Sequence, residues 1–250
     1  MTMKKHLDNK LILVTGAQGR IGRTISSLVE REGGTVVMFD IGDHQPETLD
    51  GHYFQVDCTS ADEFNRAVST VVKRFGRIDA ALHAAYPRSE GWGTPFGDLQ
   101  QNFVSEDMQN QLGASIMVSQ ILLAQFVKQG FGNLIHISSI QGIAAPKFSH
   151  YEGTDMVSPI EYSAIKSGII NLTRYLAKFH RGANIRVNCI SPGGISADQP
   201  VDFIERYGAE CNGKGLLAPE DIDGTALYLL SDMSACVTGQ NLIVDDGWSL

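Results

Sequence analysis

Short runs of consecutive apolar residues alternate along this chain with longer stretches in which apolar positions recur every three or four residues. Leu11-Ile12-Leu13-Val14 is continuously apolar, as expected of a strand buried on both faces. A helical pattern follows to about Arg31, and Thr35 to Phe39 forms a second buried run ending at Asp40. Gly51 to Val56 reads as a third strand. Ser60-Ala61-Asp62-Glu63 is a capping box ahead of Phe64, Val68, Val71, Val72 and Phe75, which repeat at helical spacing. Further strands are expected at Asp79 to Ala85, Asn133 to Ile137, Ile185 to Ile190 and Asn241 to Val244. Further helices are expected at Glu106 to Gln129, Pro159 to Phe179 and Pro219 to Leu230. Strands alternating with helices specify right-handed βαβ units, hence an α/β fold: a doubly wound parallel sheet with helices on both faces. No linker or internal repeat interrupts residues 1–250, so one domain is expected. The stretch 194–215 is the least regular and reads as a mobile lid.

Composition narrows the function. The chain has 250 residues, 43% hydrophobic, and a formal net charge of −8 with no basic stripe, which argues against nucleic acid as a partner. Cys58, Cys189, Cys211 and Cys236 are widely spaced and read as reduced thiols of a cytoplasmic protein, two disulfides being the alternative on count alone. No apolar run reaches the ~18 residues of a membrane span, and the first run is too short for a signal peptide. The seven histidines show no metal-ligand spacing, so no metal is expected.

Three features carry chemistry. Tyr162 and Lys166 lie four apart, on one helix face, where a cation beside a phenol favours the phenolate and lowers a pKa that starts near ~10. Ser139 stands 23 residues upstream, at the end of an apolar run. Gly16, Gln18, Gly19, Arg20, Ile21 and Gly22 form a glycine turn between strand and helix, suited to a pyrophosphate at a helix N-terminus. Asp40, 18 residues after Gly22 at the end of the second strand, is placed to accept from a ribose 2′-hydroxyl and to repel a 2′-phosphate, so NAD rather than NADP is expected. Asp57 and Cys58 follow the third strand; Asp57 reads either as an adenine contact or as a helix N-cap.

With these residues in order, the chain resembles the short-chain dehydrogenase/reductase family over nearly its whole length, which implies a Rossmann-like fold. Asn188-Cys189-Ile190-Ser191-Pro192-Gly193 is similar to the family's segment beside the nicotinamide, and Pro219-Glu220-Asp221-Ile222 and Val244-Asp245-Asp246-Gly247 to its C-terminal part. The resemblance implies that Tyr162 is the general acid/base. Lys166 lowers its pKa and bonds the nicotinamide ribose, Ser139 binds the reacting oxygen, and Pro192, Gly193 and Ile195 border the nicotinamide. Ser138 is the alternative to Ser139, which is preferred because the family serine stands three before a glycine, here Gly142. Ala84 and Ala85 join the cofactor set, within His83-Ala84-Ala85-Tyr86 where the family shows Asn-Asn-Ala-Gly. Gly-x-x-Gly-x-x-Gly also departs from the usual spacing. Gln111 stands where a catalytic asparagine is expected, with Asn110 about 100° round an ideal helix. A homo-oligomer, tetramer or dimer, is implied, paired through the two long helices.

Three loops, 86–97, 143–158 and 194–215, are expected to border the substrate. Tyr86, Arg88, Trp92, Lys147 and Tyr151 are the named candidates, with His150 and Glu152 beside them. That mixture suits a polyhydroxylated, anionic small molecule. The loops resemble those of oxidoreductases of flagellin glycosylation and sugar biosynthesis, so the expected substrate is a sugar or sugar-phosphate alcohol. A 3-oxoacyl reductase, a simple alcohol dehydrogenase, and a non-catalytic dinucleotide-binding sensor are the competing readings.

Overall fold

The apolar runs become the strands of one parallel sheet. The computed structural model describes residues 5–43 and 52–250. Its strands are β1 (Leu11–Thr15), β2 (Thr35–Asp40), β3 (Tyr53–Gln55), β4 (Ala80–His83), β5 (Gly132–Ile137), β6 (Ile185–Pro192) and β7 (Asn241–Val244). They lie in the order β3-β2-β1-β4-β5-β6-β7. The helices are α1 (Arg20–Arg31), α2 (Ala61–Phe75), α3 (Gln101–Asp107), α4 (Ala114–Gln129), α5 (Ile160–Phe179), α6 (Val201–Gly208) and α7 (Asp223–Leu230). Gly51, the expected start of the third strand, lies outside the described residues.

Alternation along each strand sorts the core into two layers. Ile12, Val14, Val36, Met38, Leu82 and Ile135 pack with Ile25, Leu28, Val29 and Leu229 of α1 and α7. Leu11, Leu13, Val37, Phe39, Ala81, Leu134 and Val187 face the other way, against Phe64, Val68, Leu122 and Phe126 of α2 and α4. The expected capping box of α2 forms in half: Ser60 accepts from the Glu63 amide at 3.4 Å, but the Glu63 carboxylate accepts from the Asp57 amide at 2.9 Å; Gly76 closes the helix at φ +86°.

Two segments depart from the sequence reading. The expected helix from Glu106 starts earlier, at Gln101, and α3 and α4 are joined by a π-helical turn, Met108–Gly113. The stretch 194–215, read as irregular, contains α6, whose Phe203 and Tyr207 are buried. Eight residues with one buried aromatic pair are too short to show a helical period.

The chain lays β1, β2 and β3 outward in one direction, then returns to place β4 on the other side of β1. Neighbouring connections diverge there and leave a crevice at the C-terminal strand ends, where ligands bind in open parallel sheets. The core beneath it is testable at Phe64, fully buried and edge-on to Phe39 at 5.7 Å. Phe64→Ala is expected to lower stability by about 3–5 kcal/mol, read as a drop in urea midpoint at unchanged m-value.

Candidate active site

A cavity of about 900 Å³ runs across those strand ends. Its first arm is built by the β1–α1 turn. Gly16 holds φ +64°, and a Cβ there would stand 2.7 Å from the Ala84 carbonyl oxygen; on Gly22 it would stand 2.0 Å from the Gly16 carbonyl oxygen. The turn thus lies flat against the end of β4, leaving a backbone cradle below the N-terminus of α1, the geometry a pyrophosphate requires. Asp40 lies at the mouth of this arm. One carboxylate oxygen accepts from the Gln18 amide at 2.8 Å and the other from the Gly42 amide at 3.3 Å. Asp57 borders the cavity, and its Oδ1 accepts from the Thr59 amide and hydroxyl at 2.8 and 2.7 Å; the expected alternative of a helix N-cap is not realised, because Ser60 caps α2. Cys58, Ala84, Ala85, Ile21 and Arg20 line the same arm, and Arg20 reaches Asp198 at 3.7 Å. Burial pushes the Cys58 thiol up to about 12. Pro192, Gly193 and Ile195 close the arm opposite, with Ile195 bridged to Leu217.

The second arm holds the reactive side chains. Ser139 ends β5's extension and Tyr162 and Lys166 occupy the first two turns of α5. Ser139 faces the Tyr162 phenol and favours its ionised form. Ser138, by contrast, points away and donates to the Lys166 carbonyl at 2.8 Å. The Lys166 Nζ donates to the Ile137 carbonyl at 3.1 Å and stands 5.4 Å from the Tyr162 ring centroid. Burial holds the Lys166 ammonium down at about 8. The expected lowering of Tyr162 is overturned for the protein alone: burial raises its phenol, and the neighbouring Ser139 offsets only part of that rise. Desolvation of a phenolate outweighs a cation placed over the ring rather than at the oxygen.

Gln111 is corrected too. It is 4% exposed, absent from the cavity wall, and prolongs the buried stripe of Ala114, Ser115, Val118 and Leu122; its neighbour Asn110 lines the cavity instead. An extra residue in the π turn shifts which side chain faces the cleft.

The substrate candidates divide. Tyr86, Arg88, Lys147 and Tyr151 line the cavity, whereas Trp92 does not; it braces the site from behind, edge-on to Tyr86 at 5.5 Å and Tyr162 at 6.0 Å. Lys147 is ion-paired with Glu210 and lies over the Trp248 ring. Arg88 is exposed and sits over Tyr86 at 5.7 Å. The sequence reading missed part of the wall: Phe203, Tyr207 and Trp248, stacked in a row, with Tyr207 and Trp248 only 13° from parallel. The Tyr207 hydroxyl accepts from the Gly194 amide at 2.7 Å, tying α6 to the end of β6. Nothing local in the sequence marks these contacts, which join segments far apart.

Among the described residues no cluster of His, Cys, Asp or Glu could hold a metal, and no helix is long and apolar enough to cross a membrane. Lys166 gives a signed prediction. Folded and unfolded chains are both protonated below about 8, so the full burial penalty applies there; between about 8 and the ordinary 10.5 only the folded state sheds its proton, and the penalty is withdrawn. Lys166→Met is therefore expected to stabilise the cofactor-free protein at pH 7 by about 2–3 kcal/mol. The gain should shrink as pH rises from about 8 towards 10.5, as urea denaturation at pH 7 and pH 10 would show.

Known proteins share this chain's sequence pattern and fold. Residues 16–249 match the family model described as enoyl-(acyl carrier protein) reductase. Post-translational flagellin modification protein A of Campylobacter coli is 39% identical over 98% of this chain and 100% of its own length. A 7alpha-hydroxysteroid dehydrogenase of Bacteroides fragilis is 27% identical over 97% of this chain and 95% of its own. A crystal structure of a short chain dehydrogenase from Leptospira borgpetersenii with bound NAD+ superposes with a TM-score of 0.90 at 29% identity, covering 98% of this chain and 94% of that one. The family match and the structural neighbour with bound NAD+ support NAD as the cofactor, and the chain belongs to the short-chain dehydrogenase/reductase family of oxidoreductases.

Proposed function

We propose that this protein interconverts a secondary alcohol and its ketone on a polar, sugar-like small molecule, using NAD in preference to NADP. The observation that carries the reaction is Ser139 facing the Tyr162 phenol, with the Lys166 ammonium 5.4 Å from its ring centroid, in a cavity whose other arm ends at Asp40. Bound NAD would supply the carbon that accepts or returns the hydride. The chain's own groups do the rest. Ser139 holds the reacting oxygen, Tyr162 takes the hydroxyl proton during oxidation or returns it during reduction, and Lys166 as ammonium supports the phenolate. Asn110, facing the cavity from the π turn, replaces Gln111 as the helix residue that passes protons outward.

The sugar-like substrate is favoured by the polar part of the wall, Arg88, Gln141, His150 and Tyr151, and by the Campylobacter relative's link to flagellin modification. Glu210 neutralises Lys147, so recognition of an anionic substituent falls to Arg88 alone. The aromatic row of Phe203, Tyr207 and Trp248 favours a second reading, a more apolar alcohol or an acyl thioester, in keeping with the hydroxysteroid dehydrogenase and with the 3-oxoacyl-[acyl-carrier-protein] reductase of Thermotoga maritima, 29% identical.

A panel of sugars, sugar phosphates, polyols, sterols, hydroxyacyl thioesters and simple alcohols, each with NAD⁺ and NADP⁺, separates the readings by kcat/KM. Tyr162→Phe is expected to lower turnover about 10³-fold while NAD binding persists; retained turnover would refute the Tyr162 role. Asp40→Ala should erode the preference for NAD about tenfold or more, and an unchanged ratio would remove Asp40 from the argument. Asn110→Ala should cut kcat about 10–100-fold with little change in KM.

A further inference from the structure

Tyr86 stands where the family pattern has a glycine, so this chain carries a phenol ring where that pattern carries no side chain. The ring lines the cavity and closes a triangle with Trp92 and Tyr162. Centroids are 5.5 Å apart for Tyr86 and Trp92, 5.7 Å for Tyr86 and Tyr162, and 6.0 Å for Trp92 and Tyr162. Each pair meets edge to face, an arrangement that fixes ring orientation. The Lys166 ammonium lies over two of the three rings, 5.3 Å from the Tyr86 centroid and 5.4 Å from that of Tyr162. A cation within about 6 Å of a centroid is attracted by the negative face of the ring, most strongly where water is excluded. The Arg88 guanidinium, 5.7 Å from the Tyr86 centroid, is exposed, so solvent weakens its share.

Little else offsets the Lys166 charge. Its Nζ donates to the Ile137 carbonyl at 3.1 Å, and among the described residues no carboxylate pairs with it. On the sheet side, register sets Thr15, His83 and His136 side by side on β1, β4 and β5. Thr15 Oγ1 and His83 Nδ1 share a 2.7 Å hydrogen bond, and the His83 and His136 rings meet edge to face at 5.8 Å. Burial lowers His83 to about 3 and His136 to about 4, with the Lys166 charge adding to each, so both are neutral at pH 7. Its own helix contributes Tyr162, and the 86–97 loop contributes Tyr86 and Arg88. Burial raises the Tyr86 phenol; Tyr162, Asp107 of α3 and Glu161 of α5 add to the rise, and Arg88 opposes it. Asp107 is itself engaged, accepting from the Ser89 amide and hydroxyl at 2.7 Å each. Tyr86 therefore remains an uncharged phenol whose ring face is available to a cation.

We infer that Tyr86 is a positioning residue whose ring face, paired with that of Tyr162, keeps the Lys166 ammonium charged and fixed beside the reactive phenol. This rests on the Tyr162–Lys166 chemistry proposed above and adds a support for it from the 86–97 loop. Tyr86 acts through Lys166. Trp92 acts one step further back, by holding both phenol rings edge-on.

Two measurements test the inference. In cofactor-free protein labelled with ¹³C at lysine Cε, the Lys166 signal is identified by its loss in Lys166→Met, and its titration midpoint is followed by NMR. Tyr86→Leu should lower that midpoint by about one pH unit. Tyr86→Phe, which keeps an electron-rich face, should hold it within about 0.3 units. A ring that merely excluded water would act with the opposite sign, because its loss would rehydrate the ammonium and raise the midpoint. A raised or unchanged midpoint in Tyr86→Leu therefore overturns the inference. If that variant does not fold, a ring-fluorinated phenylalanine at position 86 keeps the shape of the ring and drains its face. A midpoint equal to that of Tyr86→Phe then overturns the inference, and a lower one supports it. In the pH profile of alcohol oxidation, Tyr86→Leu should shift the alkaline-rising limb upward by about one unit, because a less charged Lys166 supports the phenolate less. Superimposable profiles overturn the inference while leaving the proposed function intact. If wild-type protein turns nothing over, the proposed function fails, and the lysine titration alone decides the role of Tyr86.

Discussion

Lys166 carries a positive charge in a place from which water is excluded, and much of the upper half of the sheet is arranged around that fact. An ammonium buried this deeply is destabilising by itself. It is held where three elements converge: the N-terminal turns of α5, the end of β5 and the edge of the cavity. The Ile137 carbonyl anchors it, the Tyr86 and Tyr162 rings lie within 5.4 Å, and two neutral histidines fill the sheet beneath it. A folded chain tolerates such a charge only where it is needed, and here the need is to lend support to a phenolate that burial otherwise disfavours.

The topology makes the convergence possible. Reversal of strand order beside β1 brings the glycine turn against the end of β4, and the same row of strand ends presents Ser139 and Pro192. Cofactor cradle and reactive side chains thus rest on backbone whose hydrogen bonds are satisfied within the sheet. The substrate wall has a different construction. Arg206 donates to the carbonyls of Ser149 and Glu152, and Lys147 pairs with Glu210, so α6 and the 146–152 segment hold each other, with the Tyr207–Gly194 bond tying α6 to the sheet.

What was legible in the sequence follows this division. Tyr162, Lys166 and Ser139 announce themselves because they sit at fixed offsets on regular elements, and the glycine turn because close backbone approach demands glycine. Periodicity also placed all seven strands. It failed where regularity breaks: a π turn exchanges the places of Gln111 and Asn110, and α6 is too short to show a period. It was silent where meaning comes from pairing across distance. Lys147 looked like a free cation until Glu210, 63 residues away, neutralised it. The polar row of Thr15, His83 and His136 depends on register between strands, which no single segment encodes.

The chain has two tryptophans: Trp248 lines the cleft, and Trp92 stands behind two rings that do. Trp92 lies edge-on to the reactive phenol, and Trp248 is stacked on the tyrosine that ties α6 to β6. No other indole competes with them. Under excitation that only indoles absorb, the molecule's emission therefore arises from rings in contact with the reacting tyrosine or with the clasp over the substrate, which makes the unlabelled protein its own optical gauge of what enters and leaves.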